Sequence, residues 1–297
     1  MTDINPIKFL LGIDGGGTKT DFLLADSDGK EIRRLFLGGS NPVNAGIENT
    51  YYVLEKGILQ ICSGFETSEI SVCAGIAGIK SGENQKLASD FLSRFGFASS
   101  ECTSDIDLAL EAALNGGNGT AVIMGTGIVA YSRYNGKLHR TGGRGYMIDK
   151  GGSGFRFGAD ALNSAFEFTD GRGGSETILK LVEKKLGKPL EDSVQEIYAG
   201  GASYVASFAP VVFEAFKLGD SSAAEITDRN AYEAAKIING ARKHVKTHDG
   251  KTVICGGLCR QKDILYPFLM KYIEGNAPLE FLDEPMVNGA ISLAKRL

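Results

Sequence analysis

The chain lacks the sequence features that are typical of nucleic-acid-binding and membrane proteins. Its 32 Lys and Arg residues are outnumbered by 36 Asp and Glu residues, and no basic tract is present, which argues against a nucleic-acid partner. No apolar stretch approaches the roughly 20 residues that a membrane-spanning helix needs. Residues 1–6 lack the basic and then apolar regions of a signal peptide. We therefore expect a cytoplasmic protein with no nucleic-acid partner and no membrane association.

Cysteine and histidine are scarce and form no complete metal-binding pattern. An odd number of widely spaced cysteines argues against a disulfide framework; they are Cys62, Cys73, Cys102, Cys255 and Cys259. The last two are spaced like half of a metal site, but no second half is visible. His244 and His248 are one helical turn apart, in a polar helix end where the helix dipole favours basic residues without any ligand. We expect buried or loop thiols and no metal bound by these side chains.

Glycine, by contrast, is abundant. The 297 residues include 40 glycines, about twice the usual share, and they cluster in discrete loops. The remaining composition, 43% hydrophobic and 23% charged, is that of a globular protein with one large or two medium domains. The clustering predicts several places where backbone contacts a ligand.

The first glycine loop lies between two apolar runs, at 9–13 and 22–24. A turn without side chains brings backbone N–H groups within reach of a phosphate, and three glycines exceed what a plain hairpin turn needs. Hydroxyl groups and an ammonium add donors, and Asp14 could hold a hydrated magnesium ion. The Walker and dinucleotide patterns are excluded, because these glycines lead into a strand and not a helix. The candidate phosphate ligands are Gly15, Gly16, Gly17, Thr18, Lys19 and Thr20.

The same arrangement recurs later in the chain. Residues 7–114 predict three strands, a helix, a strand, a helix, a strand and a helix, which indicates parallel strands covered by helices. Residues 120–131 then repeat the strand, glycine turn and second strand, with the loop Gly125, Thr126 and Gly127. Two phosphate loops facing one cleft would suit a nucleotide. We expect the domain junction near 112–119.

These features resemble the N-acetylglucosamine kinase branch of the BadF/BadG/BcrA/BcrD ATPase family, in the actin, hexokinase and heat-shock chaperone superfamily. The resemblance covers nearly the whole chain. It rests on four motifs in order: Ile13–Thr20, Thr103–Asp105, Met124–Gly127, and Gly142-Gly143-x-Gly145 leading to Gly152-Ser153-Gly154.

The resemblance implies a two-lobed actin-like (ribonuclease H-like) α/β fold, each lobe a mixed five-stranded sheet with helices. The N-terminal lobe would comprise 1–114 with the C-terminal helix 285–297, and the second lobe 115–284. ATP and Mg²⁺ are the implied cofactors, an amino sugar is the implied substrate, and a homodimer is the implied assembly.

Individual roles follow from the same resemblance. Asp14 to Thr20 would form the first phosphate loop and Gly125 to Gly127 the second, with Thr126 also near the sugar. The adenosine motif would be Gly256 and Gly257. Sugar contacts would come from Asn41, Asp105, Thr126, Gly145 and Asp149, with Gly145 in a loop that closes over the sugar. Asp105 matches the catalytic base of the family.

Chemistry supports Asp105 independently. Phosphoryl transfer to a sugar needs a group that orients a hydroxyl and accepts its proton, and aspartate does this in many kinases. The structural alternative makes Asp105 only the N-cap of helix 106–114. Asp107 is a rival base, but within the helix it would face differently.

One segment departs from the family. Relatives usually read Gly-Asp-Glu-Gly-Ser where this chain has Asp149 to Ser153, so Lys150 occupies the position of an acidic residue beside the sugar. Arg144 stands where relatives often carry tryptophan. The sugar could therefore be another amino sugar, such as glucosamine or a muramic acid, and Lys150 could meet a substrate carboxylate.

Other functions stay open. The chain lacks the cysteine cluster of repressor-related zinc sugar kinases, and its cysteines do not show the arrangement by which ATPase activators of CoA-ester dehydratases or reductases hold an iron–sulfur cluster. A cluster-free ATPase of that kind, or a nucleotide-dependent sensor without sugar turnover, is an alternative. The leading hypothesis is an ATP-dependent kinase for the 6-hydroxyl of an amino sugar, most simply N-acetylglucosamine.

Overall fold

The computed structural model describes residues 7–17, 19–245, 250–276, 278–282 and 284–297. The chain divides into two compact units. Unit 1 comprises Met1–Gly116 with Glu284–Leu297, and unit 2 comprises Gly117–Asp283.

Unit 1 is built on a mixed five-stranded sheet. Its strands are β1 (Phe9–Gly15), β2 (Lys19–Asp26), β3 (Glu31–Gly38), β4 (Ile70–Ile76) and β5 (Ser99–Thr103). The order is β3-β2-β1-β4-β5; the first three strands are antiparallel, and β4 and β5 continue parallel to β1. The carboxyl ends of β1, β4 and β5 therefore meet at one edge of the sheet.

Helices cover both faces of this sheet, as expected for strands that are buried on both sides. The helices are α1 (Pro42–Ala45), α2 (Ile47–Ile61), α3 (Asn84–Leu92), α4 (Asp105–Leu114) and α11 (Val287–Ala294). One core cluster packs α2 and α3 against the sheet. A second contains Leu10, Leu108 and Ala290 and joins α4 and α11 to β1.

Unit 2 repeats the sheet with the same topology. Its strands are β6 (Gly119–Met124), β7 (Ile128–Tyr134), β8 (Lys137–Gly142), β9 (Thr252–Cys255) and β10 (Leu279–Phe281). The order is β10-β9-β6-β7-β8, with β6, β7 and β8 antiparallel and β9 and β10 parallel to β6. The carboxyl ends of β6 and β9 correspond to those of β1 and β4.

The helices of unit 2 form its largest core cluster. They are α5 (Gly154–Thr169), α6 (Glu176–Leu186), α7 (Val194–Ala206), α8 (Ala209–Lys217), α9 (Ser221–Arg242) and α10 (Lys262–Met270). The backbone of α7 is non-helical at Gly201, the second residue of the pair Gly200-Gly201.

The predicted α/β class and the five-stranded mixed sheets are confirmed. Helix α1 lies in a segment for which the sequence predicts a loop, and α10 and β10 were not predicted. All five cysteines are buried and none forms a disulfide with another described residue, as expected for buried thiols. His244 stacks on His139 with the rings 4.6 Å apart, and His248 lies outside the described residues. No helix in the described ranges is long and apolar enough to cross a bilayer.

Candidate active site

The first glycine loop connects β1 to β2 at the carboxyl edge of the unit 1 sheet. The N–H of Gly16 donates to the carbonyl of Lys19 at 2.9 Å, which closes the turn. Gly16 and Gly17 are partly or fully exposed, whereas Gly15 is buried. A side chain at Gly15 would meet the Ser40 hydroxyl at 2.4 Å. Thr18 lies outside the described residues.

Thr20 requires a correction. The sequence predicts its hydroxyl as a phosphate donor, but the residue is fully buried. Its hydroxyl is bonded to the Gly38 carbonyl at 2.8 Å and to the Ser40 hydroxyl at 2.9 Å. Because a buried hydroxyl with two internal partners is not available to a ligand, Thr20 is removed from the phosphate-binding set.

Asp14 lies at the end of β1 among other carboxylates. It is directly opposite Asp21 in the β1–β2 ladder, and Asp105 begins the helix that follows β5. Burial, followed by the charges of Asp105 and Asp21, raises the pKa of Asp14 to about 7, with Lys19 opposing this. Arg34 neutralises Asp21 through two hydrogen bonds of 3.0 and 2.7 Å. A divalent cation would relieve the remaining repulsion.

These residues fit magnesium held mainly by water and phosphate. Among the described residues, no group of three or more His, Cys, Asp or Glu side chains is arranged to hold a metal. Mg²⁺ commonly keeps several waters and binds through one carboxylate and the phosphates of its nucleotide. Asp14, partly buried and electrostatically strained, is the side chain that could contact such an ion.

Asp105 and Asp107 occupy different environments. The N-cap of α4 is Ser104, whose hydroxyl accepts from the N–H of Asp107, and Asp107 completes a capping box. Asp107 also accepts hydrogen bonds from Lys80 at 2.7 Å and Thr103 at 2.6 Å. The Oδ2 atom of Asp107 is thus engaged in the cap region by four hydrogen bonds. Because the N-cap is Ser104, the alternative in which Asp105 caps the helix is wrong.

Asp105, the first residue of α4, has no side-chain hydrogen-bond partner among the described residues. Burial raises its pKa, a rise opposed by the backbone N–H of Ile106. In contrast, burial would raise the pKa of Asp107, but hydrogen bonds from Lys80 and two hydroxyls outweigh burial and lower it to about 2. Of the two carboxylates, Asp105 is the one whose proton affinity suits a general base.

Asn41 lies one residue after Ser40. It caps the short helix α1, with its side-chain oxygen accepting from the N–H of Val43 at 2.9 Å. Gly78 leaves space for that oxygen, because a side chain there would lie 2.5 Å from it. The amide nitrogen of Asn41 has no partner in the described part of the chain, and it can donate to a ligand.

The second glycine loop, Gly125 to Gly127, joins β6 to β7. A side chain at Gly125 or Gly127 would meet no atom within 4 Å, and neither residue has a left-handed φ. The fold itself therefore does not require glycine at either position, which favours close approach of a ligand. The carbonyls of Gly125 and Thr126 accept from Gly154 and Phe155 at 2.7 and 3.0 Å, so the first turn of α5 fixes this loop.

The loop between β8 and α5 contains the predicted sugar contacts Gly145 and Asp149. The two bind each other: the N–H of Gly145 donates to the Asp149 carboxylate at 3.0 Å. Between them Met147 and Ile148 are 81% and 68% exposed. The Asp149 carboxylate is thus turned into its own loop, and the loop presents apolar side chains outward.

The loop between β8 and α5 also carries two cations, Arg144 and Lys150. Arg144 and Lys150 are exposed, and no ion pair or hydrogen bond engages their side chains within the described ranges. The C-terminal side of the loop is anchored on α9, where the N–H of Gly152 donates to buried Asn230 at 3.0 Å. The loop therefore presents two exposed positive charges, and its C-terminal end is held in place by α9.

Gly256 and Gly257 follow β9. A side chain at Gly256 would lie 2.7 Å from the Met124 carbonyl, and φ is +102°, so the fold requires glycine there. Gly257 is exposed and open. It begins a 3₁₀ turn that ends at Gln261, in the wall of a cavity of about 300 Å³. That cavity is lined by Pro210, Phe213, Glu214, Lys217 and Gln261.

Three features of the site were not predicted from the sequence. They are the Ser40 contacts with the first loop, the Asn230 anchor and the cavity along α8. The pattern Ser104-x-x-Asp107 is a capping box that the sequence itself contains, and it could have assigned Asp107 to the cap.

Comparison with known proteins identifies the family of this chain. Residues 11–291 match the BadF/BadG/BcrA/BcrD ATPase family. The chain is 29% identical, over 283 residues covering 92% of each sequence, to N-acetylmuramic acid/N-acetylglucosamine kinase of Clostridium acetobutylicum. It is 27% identical, over 296 residues covering 91% of this chain and 92% of the relative, to N-acetyl-D-glucosamine kinase of Dictyostelium discoideum.

Solved structures show the same fold. A Chromobacterium violaceum protein provisionally assigned as an N-acetylglucosamine kinase superposes with a TM-score of 0.75 at 24% identity, covering 97% of this chain and 99% of that one. A ROK family glucokinase from Streptomyces griseus, in complex with glucose and AMPPNP, gives 0.65 at 14% identity, covering 97% and 98%. The predicted two-lobed actin-like fold is confirmed. Because the family match spans residues 11–291, the chain belongs to the BadF/BadG/BcrA/BcrD ATPase family.

Proposed function

We propose that the protein is an ATP-dependent kinase that phosphorylates the 6-hydroxyl of an amino sugar, most simply N-acetylglucosamine. The observation that carries this proposal is the contrast between Asp105 and Asp107. The Asp107 carboxylate completes the cap of α4. The Asp105 carboxylate is partly buried, has a raised pKa and forms no hydrogen bond with another side chain in the described part of the chain. Membership of an ATPase family and relatives named as sugar kinases support the same activity.

In the proposed reaction, Asp105 accepts the proton of the sugar 6-hydroxyl as its oxygen attacks the γ-phosphorus of ATP. The new oxygen–phosphorus bond forms while the bond from the γ-phosphorus to the bridging oxygen of ADP breaks. The Asn41 amide would donate a hydrogen bond to the sugar, and Thr126 and Gly145 are the further sugar contacts that the family resemblance implies.

In unit 1 the phosphates would bind to the first glycine loop, Gly15 to Lys19. The loop Gly125 to Gly127 of unit 2 is the second candidate phosphate loop. Magnesium would neutralise phosphate charge, held near Asp14 through water. Lys19 is exposed and carries a positive charge at the first loop. Backbone N–H donors and an ammonium are the groups that stabilise developing charge in phosphoryl transfer.

The adenine would occupy the cavity that is lined by α8 and by Gln261, the last residue of the turn that begins at Gly257. Its volume of about 300 Å³ is at the lower end of ligand-site sizes, and its walls combine an aromatic ring with polar groups. Gly257 is open, so the ribose could approach the backbone there. This extends the adenosine site beyond Gly256 and Gly257 to α8.

The test is ADP release with a panel of neutral, amino and N-acetylated sugars. We expect N-acetylglucosamine to accelerate ATP turnover at least tenfold over the sugar-free rate. If no sugar accelerates turnover, the kinase proposal fails, and the activator and sensor alternatives take its place. Iron content of anaerobically purified protein then tests for an activator that holds an iron–sulfur cluster.

A second candidate substrate is N-acetylmuramic acid, whose lactyl group adds a methyl and a carboxylate. It is favoured by the loop between β8 and α5, which exposes Met147 and Ile148 together with Arg144 and Lys150. Neither cation forms an ion pair with another described residue, and one relative is named for this sugar. Lys150→Met is expected to lower kcat/KM for N-acetylmuramic acid about fivefold or more, because a charged hydrogen bond is worth roughly 1 to 3 kcal/mol. The kcat/KM for N-acetylglucosamine should stay within twofold. Equal losses for both sugars would refute the carboxylate contact.

A further inference from the structure

Thr20 and Ser40 form a buried hydroxyl pair that lies between two predicted binding elements. Both residues are fully buried, and their hydroxyl oxygens are 2.9 Å apart. Thr20 belongs to β2, directly after the first glycine loop, whereas Ser40 directly precedes Asn41. The pair therefore joins the segment that carries the phosphate loop to the segment that carries the sugar contact.

Ser40 makes further contacts with the same elements. Its N–H donates to the carbonyl of Gly16 at 3.0 Å, and its carbonyl accepts from the Thr50 hydroxyl at 2.8 Å. The absence of a side chain at Gly15 leaves room for the Ser40 hydroxyl. Every polar atom of Ser40 is thus engaged. Its three partners, Gly16, Thr20 and Thr50, come from the first glycine loop, β2 and α2.

The neighbouring backbone is held in the same way. The carbonyl of Gly39 accepts from the Asn49 side chain at 2.9 Å, and that of Gly38 accepts from Thr20. The Asn41 side-chain oxygen is occupied by helix capping. The amide nitrogen of Asn41 has no hydrogen-bond partner in the described part of the chain. Its position depends on residues 38–40, because their backbone is held by these bonds.

We propose that Thr20 is a positioning residue for the sugar: its hydroxyl pair with Ser40 sets the place of the Asn41 amide relative to the first phosphate loop. The inference rests on the proposed function and names how one substrate contact is fixed. Thr20 does not touch nucleotide or sugar, and it acts through Ser40 and Asn41.

The test compares Thr20→Val, which removes the hydroxyl at nearly constant shape, with Thr20→Ser, which retains it. Calorimetry measures the Kd of N-acetylglucosamine and, separately, of magnesium AMPPNP. We expect Thr20→Val to weaken sugar binding about two- to tenfold, the range for one buried hydrogen bond. Nucleotide affinity should stay within twofold, and Thr20→Ser should restore sugar binding.

A matched control is Thr227→Val. Thr227 is also fully buried, and its hydroxyl donates to the Ala223 carbonyl at 2.8 Å. This bond lies within α9 and involves neither the first glycine loop nor the segment that carries Asn41. It should leave both affinities unchanged. If Thr20→Val does not fold, Ser40→Ala is measured in its place, with the same expectation for the sugar.

The outcomes are distinct. A loss of nucleotide affinity equal to or greater than the loss of sugar affinity would overturn the proposal in favour of Thr20 as a phosphate ligand. Unchanged sugar affinity, or a Thr20→Ser variant as weak as Thr20→Val, would also overturn it. If wild-type protein binds none of the sugars, the proposed function itself fails, and the positioning role fails with it.

Discussion

The Asp14 carboxylate should destabilise the ligand-free fold at neutral pH. Its pKa of about 7 replaces an ordinary value of 3.8, because the group is buried beside Asp105 and Asp21. Each tenfold change in proton affinity is worth about 1.4 kcal/mol, so full ionisation costs up to roughly 4 kcal/mol. Asn has the shape of the protonated acid without its charge, and Asp14→Asn should therefore stabilise the protein.

The pH dependence has a defined sign. Between pH 4 and 7 the folded state binds more protons at Asp14 than the unfolded state, so the free energy of unfolding contributed by this group falls as pH rises. The advantage of Asp14→Asn over wild type should be near zero at pH 4. It should grow through pH 7 to on the order of 2 to 4 kcal/mol and then level off.

The assay is urea unfolding followed by circular dichroism, with chelator and without nucleotide, at pH 4, 5.5, 7 and 8.5. Magnesium ATP should then stabilise wild type more than the variant, because the cation relieves repulsion that only the carboxylate experiences. The reasoning that burial beside Asp105 and Asp21 makes the Asp14 charge unfavourable would be refuted by either of two results. One is a stability difference between the two proteins that does not change with pH, and the other is a variant that is less stable than wild type at pH 8.5.

The remaining predictions concern the helix cap and the second glycine loop. Asp107→Asn should lower the free energy of unfolding by about 2 kcal/mol at pH 7, because the pKa of Asp107 in the folded state is about 2 and not 3.8. In urea titrations this difference from wild type should vanish as pH falls from 4 to 2. A difference that does not change with pH would contradict the role of the Asp107 carboxylate in the cap. Gly125→Ala should keep its melting temperature but lose at least tenfold in kcat/KM for ATP, because the methyl group enters open space expected for phosphate. Gly240→Ala, within α9, should keep full activity and gain about 1 kcal/mol of stability; activity retained by Gly125→Ala would exclude phosphate from that loop.

Much of the fold could be predicted because its signals are local. Glycine turns between apolar runs fix the β1–β2 and β6–β7 hairpins, and the turn at Asn135, whose φ is +48°, fixes the next one. The missed elements have weak local signals. Helix α10 contains Pro267, which argues against a helix in sequence, and β10 is only three residues long. Both are formed because they pack onto β9 and α9.

The site was predictable in residue type and less so in role. Thr20 looks like a phosphate ligand because it follows the glycines. Its burial depends on Ser40, which is 20 residues later in the chain and is brought next to Thr20 because β3 pairs with β2. Asp149 looks like a sugar ligand, but the turn at Gly145 uses its carboxylate. Such assignments depend on which partner satisfies each polar group after folding, and single positions in a sequence do not contain that information.

The central claim is that Asp105 accepts the proton of a sugar hydroxyl during phosphoryl transfer. The most direct measurement is phosphorus NMR of the product from N-acetylglucosamine and magnesium ATP with wild type, Asp105→Asn and Asp107→Asn, at a temperature where all three are folded. We expect wild type and Asp107→Asn to form the 6-phosphate at similar rates. Asp105→Asn should be slower by 10²-fold or more while AMPPNP affinity stays unchanged. Near-normal product formation by Asp105→Asn, or loss of product with Asp107→Asn alone, would contradict it.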